Sequence, residues 1–171
     1  MKQTRIVALC GMVSALSVVV LALGAMLGIG MYAAPMIAGL CLLPIRREAG
    51  WRGQMMVWLA VSLISFMLIS EVEQNLMYLC LFGLYPILYP FFQRLPKGIR
   101  IAGKMLFMNA VTIAVEALVV LVLVPETMGL WMGIALMVMG NAVFFLYDRM
   151  LPVFDAILSR YLRAFLSRAG R

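Results

Sequence analysis

The sequence predicts an all-α membrane protein: six transmembrane helices in one bundle, both termini on the cytoplasmic side, and a C-terminal amphipathic helix. Three observations predict it. Of the 171 residues, 65% are apolar and only 12% are charged, against about 45–50% and about 25% in soluble domains. A soluble monomer of this size could not cover so much apolar surface, and the mean hydropathy is +1.06. The apolar residues also fall in runs of the length that crosses hydrocarbon, about 20 residues per helix. Finally, the charges lie between those runs and sort to one side of the membrane.

The elements follow in order. The run from Ile6 to Ile45 is about twice the length of one span and must hold two helices. Gly28-Ile29-Gly30 marks the break, and Pro35 suits the first turn of the second helix. Helix 1 is expected near 6–27 and a short helix 2 near 33–46. Arg46, Arg47, Glu48, Gly50, Arg52 and Gly53 read as a charged loop before helix 3, near 54–70. The polar stretch Ser70 to Asn75 precedes helix 4, near 76–92, which contains Pro86 and Pro90. A basic loop from Gln93 to Lys104 leads to helix 5, near 105–124. Pro125-Glu126-Thr127 starts a tight turn into helix 6, near 129–148.

With this division all 14 Lys and Arg fall on one side: the N-terminus, loop 2–3, loop 4–5 and the C-terminus. The other side holds Glu71, Glu73 and Glu126 and no basic residue. The positive-inside rule places both termini in the cytoplasm of a bacterial-type plasma membrane. The net charge of +7 therefore reports topology and not a nucleic-acid partner. The basic N-terminus and the apolar run behind it resemble a signal peptide, but the run continues without a cleavage site and reads as retained. Residues 1–148 form the bundle, and 149–171 a cytoplasmic tail. In the tail Phe154, Ile157, Leu158, Tyr161, Leu162 and Phe165 take one helical face, with Ser159, Arg160, Arg163 and Ser167 on the other. Such a helix suits the lipid interface, where its basic face meets anionic headgroups; docking onto a partner is the other reading.

Composition also excludes chemistry. There is no His, the commonest general base and metal ligand, which argues against a zinc hydrolase, a His-ligated haem protein and a Ser-His-Asp enzyme. No GxxxxGK[ST] and no GxGxxG after a strand is present, so the chain holds no P-loop of its own. No cofactor and no enzymatic activity are expected of this chain. Cys10, Cys41 and Cys80 lie in apolar runs without CxxC spacing and read as small buried residues. A bundle without internal repeat is also a poor stand-alone alternating-access carrier.

The candidate functional residues are intramembrane polar groups, which are costly in lipid. Glu116 stands well inside helix 5, roughly 12 Å from its outer end, and shares a face with Asn109 and Thr112. It either binds a ligand or proton, or hydrogen-bonds two helices together. Asn141 lies near mid-depth on helix 6, with interhelical hydrogen bonding the competing role. Tyr78, Phe82, Tyr85 and Tyr89 form a stripe on helix 4, beginning beside Glu71, Glu73, Gln74 and Asn75. That stripe is either packing or the wall of an outward-facing pocket. On helix 1, Ala8, Gly11 and Ala15 make a small-residue face that admits close approach of another helix, from this chain or from a partner.

Six spans, short length, inward termini and the helix 1 face together resemble the S components of energy-coupling factor (ECF) transporters. Four stretches carry a further resemblance: Ala34-Pro35-Met36-Ile37-Ala38-Gly39-Leu40, Phe82-Gly83-Leu84-Tyr85-Pro86-Ile87-Leu88, Lys104-Met105-Leu106-Phe107-Met108-Asn109, and Gly140 to Asp148. The family's helix 1 pattern is AxxxA; here the nearest match is Gly11-x-x-x-Ala15. The resemblance implies a subunit that binds a vitamin-like small molecule from outside, while a membrane coupling protein and two ATPases drive its release inward. It implies a cavity between helices 4 to 6, with Tyr78, Tyr85, Glu116 and Asn141 as candidates and Glu71, Glu73, Gln74 and Asn75 above. The outer half holds Glu and no cation, so a neutral or cationic substrate fits better than an anionic one. Two alternatives remain: a structural scaffold of cell-envelope synthesis that resembles the MreD type, and a small proton-coupled carrier.

Overall fold

The computed structural model describes residues 2–27, 30–122 and 130–169. The described residues are helical, with no strand among them. In order they are α1 (Lys2–Leu27), α2 (Gly30–Leu40), α3 (Leu43–Leu68), α4 (Val72–Met77), a π-helical segment (Tyr78–Phe82), α5 (Tyr85–Gln93), α6 (Lys97–Val122) and α7 (Leu130–Ala169). Four segments are long and apolar enough to cross a bilayer: Gln3–Leu27, Leu43–Leu68, Val72–Gln93 and Lys97–Val119. Their outward faces carry Val7, Met12, Met67, Leu68 and Leu106, all exposed, as expected where lipid and not water is the solvent. The chain is compatible with a multi-pass membrane protein.

Several boundaries move from where the sequence sets them. α2 begins at Gly30, so Pro35 lies inside it and not in its first turn. It ends at Leu40 and not near 46, because Pro44 cannot continue the ladder and instead sits in the first turn of α3. The charged stretch 46–53 is helical and not a loop; its interruption is Gly50, at φ 71°, a left-handed conformation that glycine adopts without Cβ strain. α4 starts at Val72, which places Gln74 and Asn75 in a helix. α6 starts at Lys97, immediately after Pro96, so most of the expected basic loop is helix. α7 runs unbroken past Asp148, with Pro152 inside it, so the tail continues the last helix. The expected break at Gly28-Ile29 and the turn at Pro125-Glu126-Thr127 lie outside the described residues. So do nearly all the side chains beyond Ile157 that would make the tail amphipathic.

α2 has 11 residues, about 16 Å at 1.5 Å per residue and roughly half a hydrocarbon core. It nonetheless sits at the centre. Ala34, Ala38 and Leu40 are buried, and it packs against α1, α4, α5, α7 and the π segment. One apolar cluster joins α1, α2 and α3 through Leu21, Ala38, Leu42, Ile45, Val57 and Val61. The other joins the π segment, α5, α6 and α7 through Phe82, Tyr85, Met108, Phe144 and Tyr147. Small side chains on α2 allow this two-sided approach. At Gly39 a Cβ would collide with the Phe82 carbonyl and the Tyr147 hydroxyl.

The segment α4–π–α5 is a broken span whose freed carbonyls are taken by side chains. The Gly83 N–H bonds the Tyr78 carbonyl at 2.8 Å in the wider π pattern. The Leu79 carbonyl, which Gly83 would serve in an α-helix, accepts instead from Trp58 Nε1 at 3.1 Å. Pro86 has no N–H for the Phe82 carbonyl; the Tyr147 hydroxyl donates to that carbonyl at 2.8 Å. In lipid no water would satisfy these groups, so α3 and α7 are stapled to the break.

Candidate functional site

The residues singled out in the sequence divide between internal ties and unpartnered polar groups. Gln74 and Asn75 are ties. Gln74 Nε2 donates to the Leu21 carbonyl at 2.7 Å, linking α4 to α1. Asn75 Nδ2 donates to the carbonyls of Ile69 at 2.9 Å and Ser65 at 3.3 Å, and so serves the open C-terminal end of α3. Asn141 Nδ2 donates to Asn109 Oδ1 and to the Met137 carbonyl, both at 2.8 Å, which joins α6 to α7. Tyr85 is fully buried, and its hydroxyl donates to Asp148 Oδ1. Tyr78 is also fully buried, in the core that faces α3, and its hydroxyl has no partner among the described residues.

A different set lies on α2, α4 and α6, where α4 packs against both of the others. Glu73 and Glu116 lie within Coulombic range of each other and of the Tyr32 hydroxyl, and Glu71 lies within range of Glu73. Tyr32 Oη and Glu116 Oε1 are sealed from solvent and have no hydrogen-bond partner among the described residues. Leaving a buried polar group unpaired costs about 1–3 kcal/mol, so native structures seldom do so without a reason. The set comprises carboxylate acceptors and a hydroxyl that can donate or accept. That set suits an ammonium, an amide or a protonated ring nitrogen. Glu71 sits at the exposed N-terminal flank of α4 and caps nothing there. Sequence spacing located Glu73 and Glu116 but missed Tyr32; its only signal was a lone phenol near the outer end of a short apolar helix.

The opposite end of α6 carries the second polar centre, also missed. Lys104 is buried and its Nζ lies 2.6 Å from Asp148 Oδ1 of α7. The Tyr89 ring lies 5.0 Å from the same ammonium, and Tyr85 shares the carboxylate. Phe107, Phe144 and Tyr147 wall Tyr85. A cleft of about 530 Å³ opens beside this pair between α6 and α7, lined in part by Arg100, Lys104, Asn141, Phe145, Asp148 and Arg149. A second, of about 400 Å³, lies across Tyr89, Gln93 and Pro152 and includes Arg46 and Asp155. Both clefts are on the basic side and not on the side of Glu73 and Glu116. Among the described residues no group of His, Cys, Asp and Glu is placed to hold a metal ion.

The α1 face has a plain geometry. Ala8, Gly11 and Ala15 are exposed, and a Cβ on Gly11 would meet nothing within 4 Å. The opposite face, with Val13, Ser17 and Leu21, is the one buried, and Ser17 Oγ reaches the Ala38 carbonyl of α2 at 3.4 Å. Among the described residues, then, no helix of this chain occupies the small-residue face. Comparison with protein-family models finds no match to the chain, and neither does comparison with curated proteins or with solved structures.

Proposed function

We propose that this chain is the substrate-binding S component of an ECF-type importer. In this reading it spans a bacterial-type plasma membrane six times with both termini in the cytoplasm. It captures a neutral or cationic, vitamin-like small molecule from outside and has no enzymatic activity of its own. The observation that carries the reading is the presence of two buried, unpartnered atoms, Tyr32 Oη and Glu116 Oε1, on groups that feel the charge of Glu73. A bound amine or amide would supply the missing hydrogen bonds, and a protonated ligand would offset the carboxylate charge. The vacant face of Ala8, Gly11 and Ala15 supports docking of a membrane coupling protein, which would link the chain to two ATPases.

A second reading, a structural scaffold of cell-envelope synthesis, is favoured by one specific observation. Gln74, Tyr85 and Asn141 spend hydrogen bonds inside the chain as packing residues would, and so does the Asn75 amide nitrogen, while Asn75 Oδ1 is left unpaired among the described residues. Purification of the tagged chain from its native membrane in mild detergent separates the two. The importer reading expects two ATPases and a coupling subunit to co-purify, and to be lost on Gly11→Leu. Recovery of envelope-synthesis proteins without ATPases would overturn it in favour of the scaffold.

A further inference from the structure

The cleft between α6 and α7 has the layout of an amphiphile. Two contacts fix the relative direction of the helices: Asn109 meets Asn141, and Lys104 meets Asp148. Moving toward the start of α6 therefore means moving toward the end of α7, so the pair is antiparallel. Arg100 and Arg149 both line that cleft at its basic end. Ile101 and Met105 on α6 and Phe145 on α7 follow deeper, each about half exposed or more.

The charges at this end are not balanced. Asp148 is engaged by Lys104, which leaves it no role in neutralising the arginines. The Arg100 Nη1 donates to the neutral Gln93 Oε1 at 2.9 Å. The Arg149 guanidinium lies over the Phe145 ring at 4.9 Å. Among the described residues neither arginine has an acidic partner. Both are held in place by neutral groups at the mouth of a cleft of about 530 Å³. Arginine pairs well with phosphate oxygens, and basic pockets between membrane helices take anionic headgroups.

We infer that this cleft binds one anionic phospholipid from the leaflet on the basic side, its phosphate on Arg100 and Arg149 and its acyl chain along Ile101, Met105 and Phe145. The inference needs the chain to lie in a bilayer but does not depend on the transport reading.

Native mass spectrometry of the full chain in detergent tests it directly, with phosphatidylglycerol and phosphatidylcholine of matched acyl chains as probes. Each unpaired arginine should favour the anionic lipid about fivefold, giving a preference of ~25-fold for the pair. Arg100→Gln with Arg149→Gln should bring the two lipids to near parity, whereas Arg52→Gln, at an exposed site outside the cleft, should leave the preference intact. Equal retention of the two lipids by the unaltered chain would overturn the inference without recourse to any variant. An undiminished preference in the double variant would overturn it as well. Displacement of the bound lipid by glycerol phosphate at equal concentration would show a site for a soluble phosphate, and would likewise overturn the lipid assignment.

Discussion

The half-buried Lys104–Asp148 pair shows how much a single contact can carry in this chain. Lys104 is buried and Asp148 a quarter exposed at the edge of the cleft, and their nitrogen and oxygen meet at 2.6 Å. The Tyr85 hydroxyl and the Tyr89 ring complete the cage. Lys104→Met should destabilise the protein by about 1–3 kcal/mol, because it takes a charged hydrogen-bond partner from a half-buried carboxylate. Adding Asp148→Asn should recover at least half of that loss, a result that unfolding in detergent would read and a larger additive loss would contradict. Tyr147→Phe should cost about 1–3 kcal/mol, since the Phe82 carbonyl is then left unpaired where Pro86 has no N–H to offer. The residues differ in how visible they are in sequence. Glu116 announces itself as a lone carboxylate inside an apolar run. Lys104 and Asp148 stand 44 positions apart, each at the edge of an expected span. There they read as interface charges, and nothing local shows that they pair.

The elements are legible where apolar runs end in proline or glycine, and less so where charge alone suggests a loop. Pro44, Gly50 and Pro96 mark real punctuation. The charged residues around them are nonetheless helical, because a helix keeps its backbone satisfied through the interface whatever its side chains carry. The π segment was not legible. It depends on Trp58 and Tyr147 arriving from α3 and α7 to take the freed carbonyls, which is tertiary information. Pi bulges often mark functional regions; here the bulge holds the centre of the bundle to α2 through Gly39. Gly39→Ala should destabilise the bundle by at least about 1–3 kcal/mol, the cost of overpacking, because backbone and a hydrogen-bonded hydroxyl oppose the new methyl. An unchanged melting temperature would refute that close approach. By contrast, Arg47 binds Asp155 through Nε at 3.1 Å and Nη2 at 2.6 Å on the surface between α3 and α7. Arg47→Ala should cost no more than about 1 kcal/mol, as exposed pairs do.

At the scale of the molecule, composition alone separates lipid from water as the solvent, and charge sorting separates the two ends. The basic end holds both clefts and the half-buried ion pair. The acidic end holds Glu73 together with Glu116 and Tyr32, and of these Glu116 Oε1 and Tyr32 Oη are buried without a hydrogen-bond partner among the described residues. α1 turns Ala8, Gly11 and Ala15 away from the other described helices. Under the proposed reading the acidic end takes the small molecule, and the exposed Ala8, Gly11 and Ala15 face of α1 takes the membrane coupling protein. The most direct measurement is native mass spectrometry of the intact chain purified in mild detergent, comparing the unaltered protein with Glu116→Ala and Tyr32→Phe. The account predicts a co-purified small molecule bearing an amine, amide or protonated ring nitrogen, lost in Glu116→Ala and weakened in Tyr32→Phe. The same small molecule retained by both variants, or an unaltered protein that arrives empty and binds no added small cation or neutral metabolite, would contradict it.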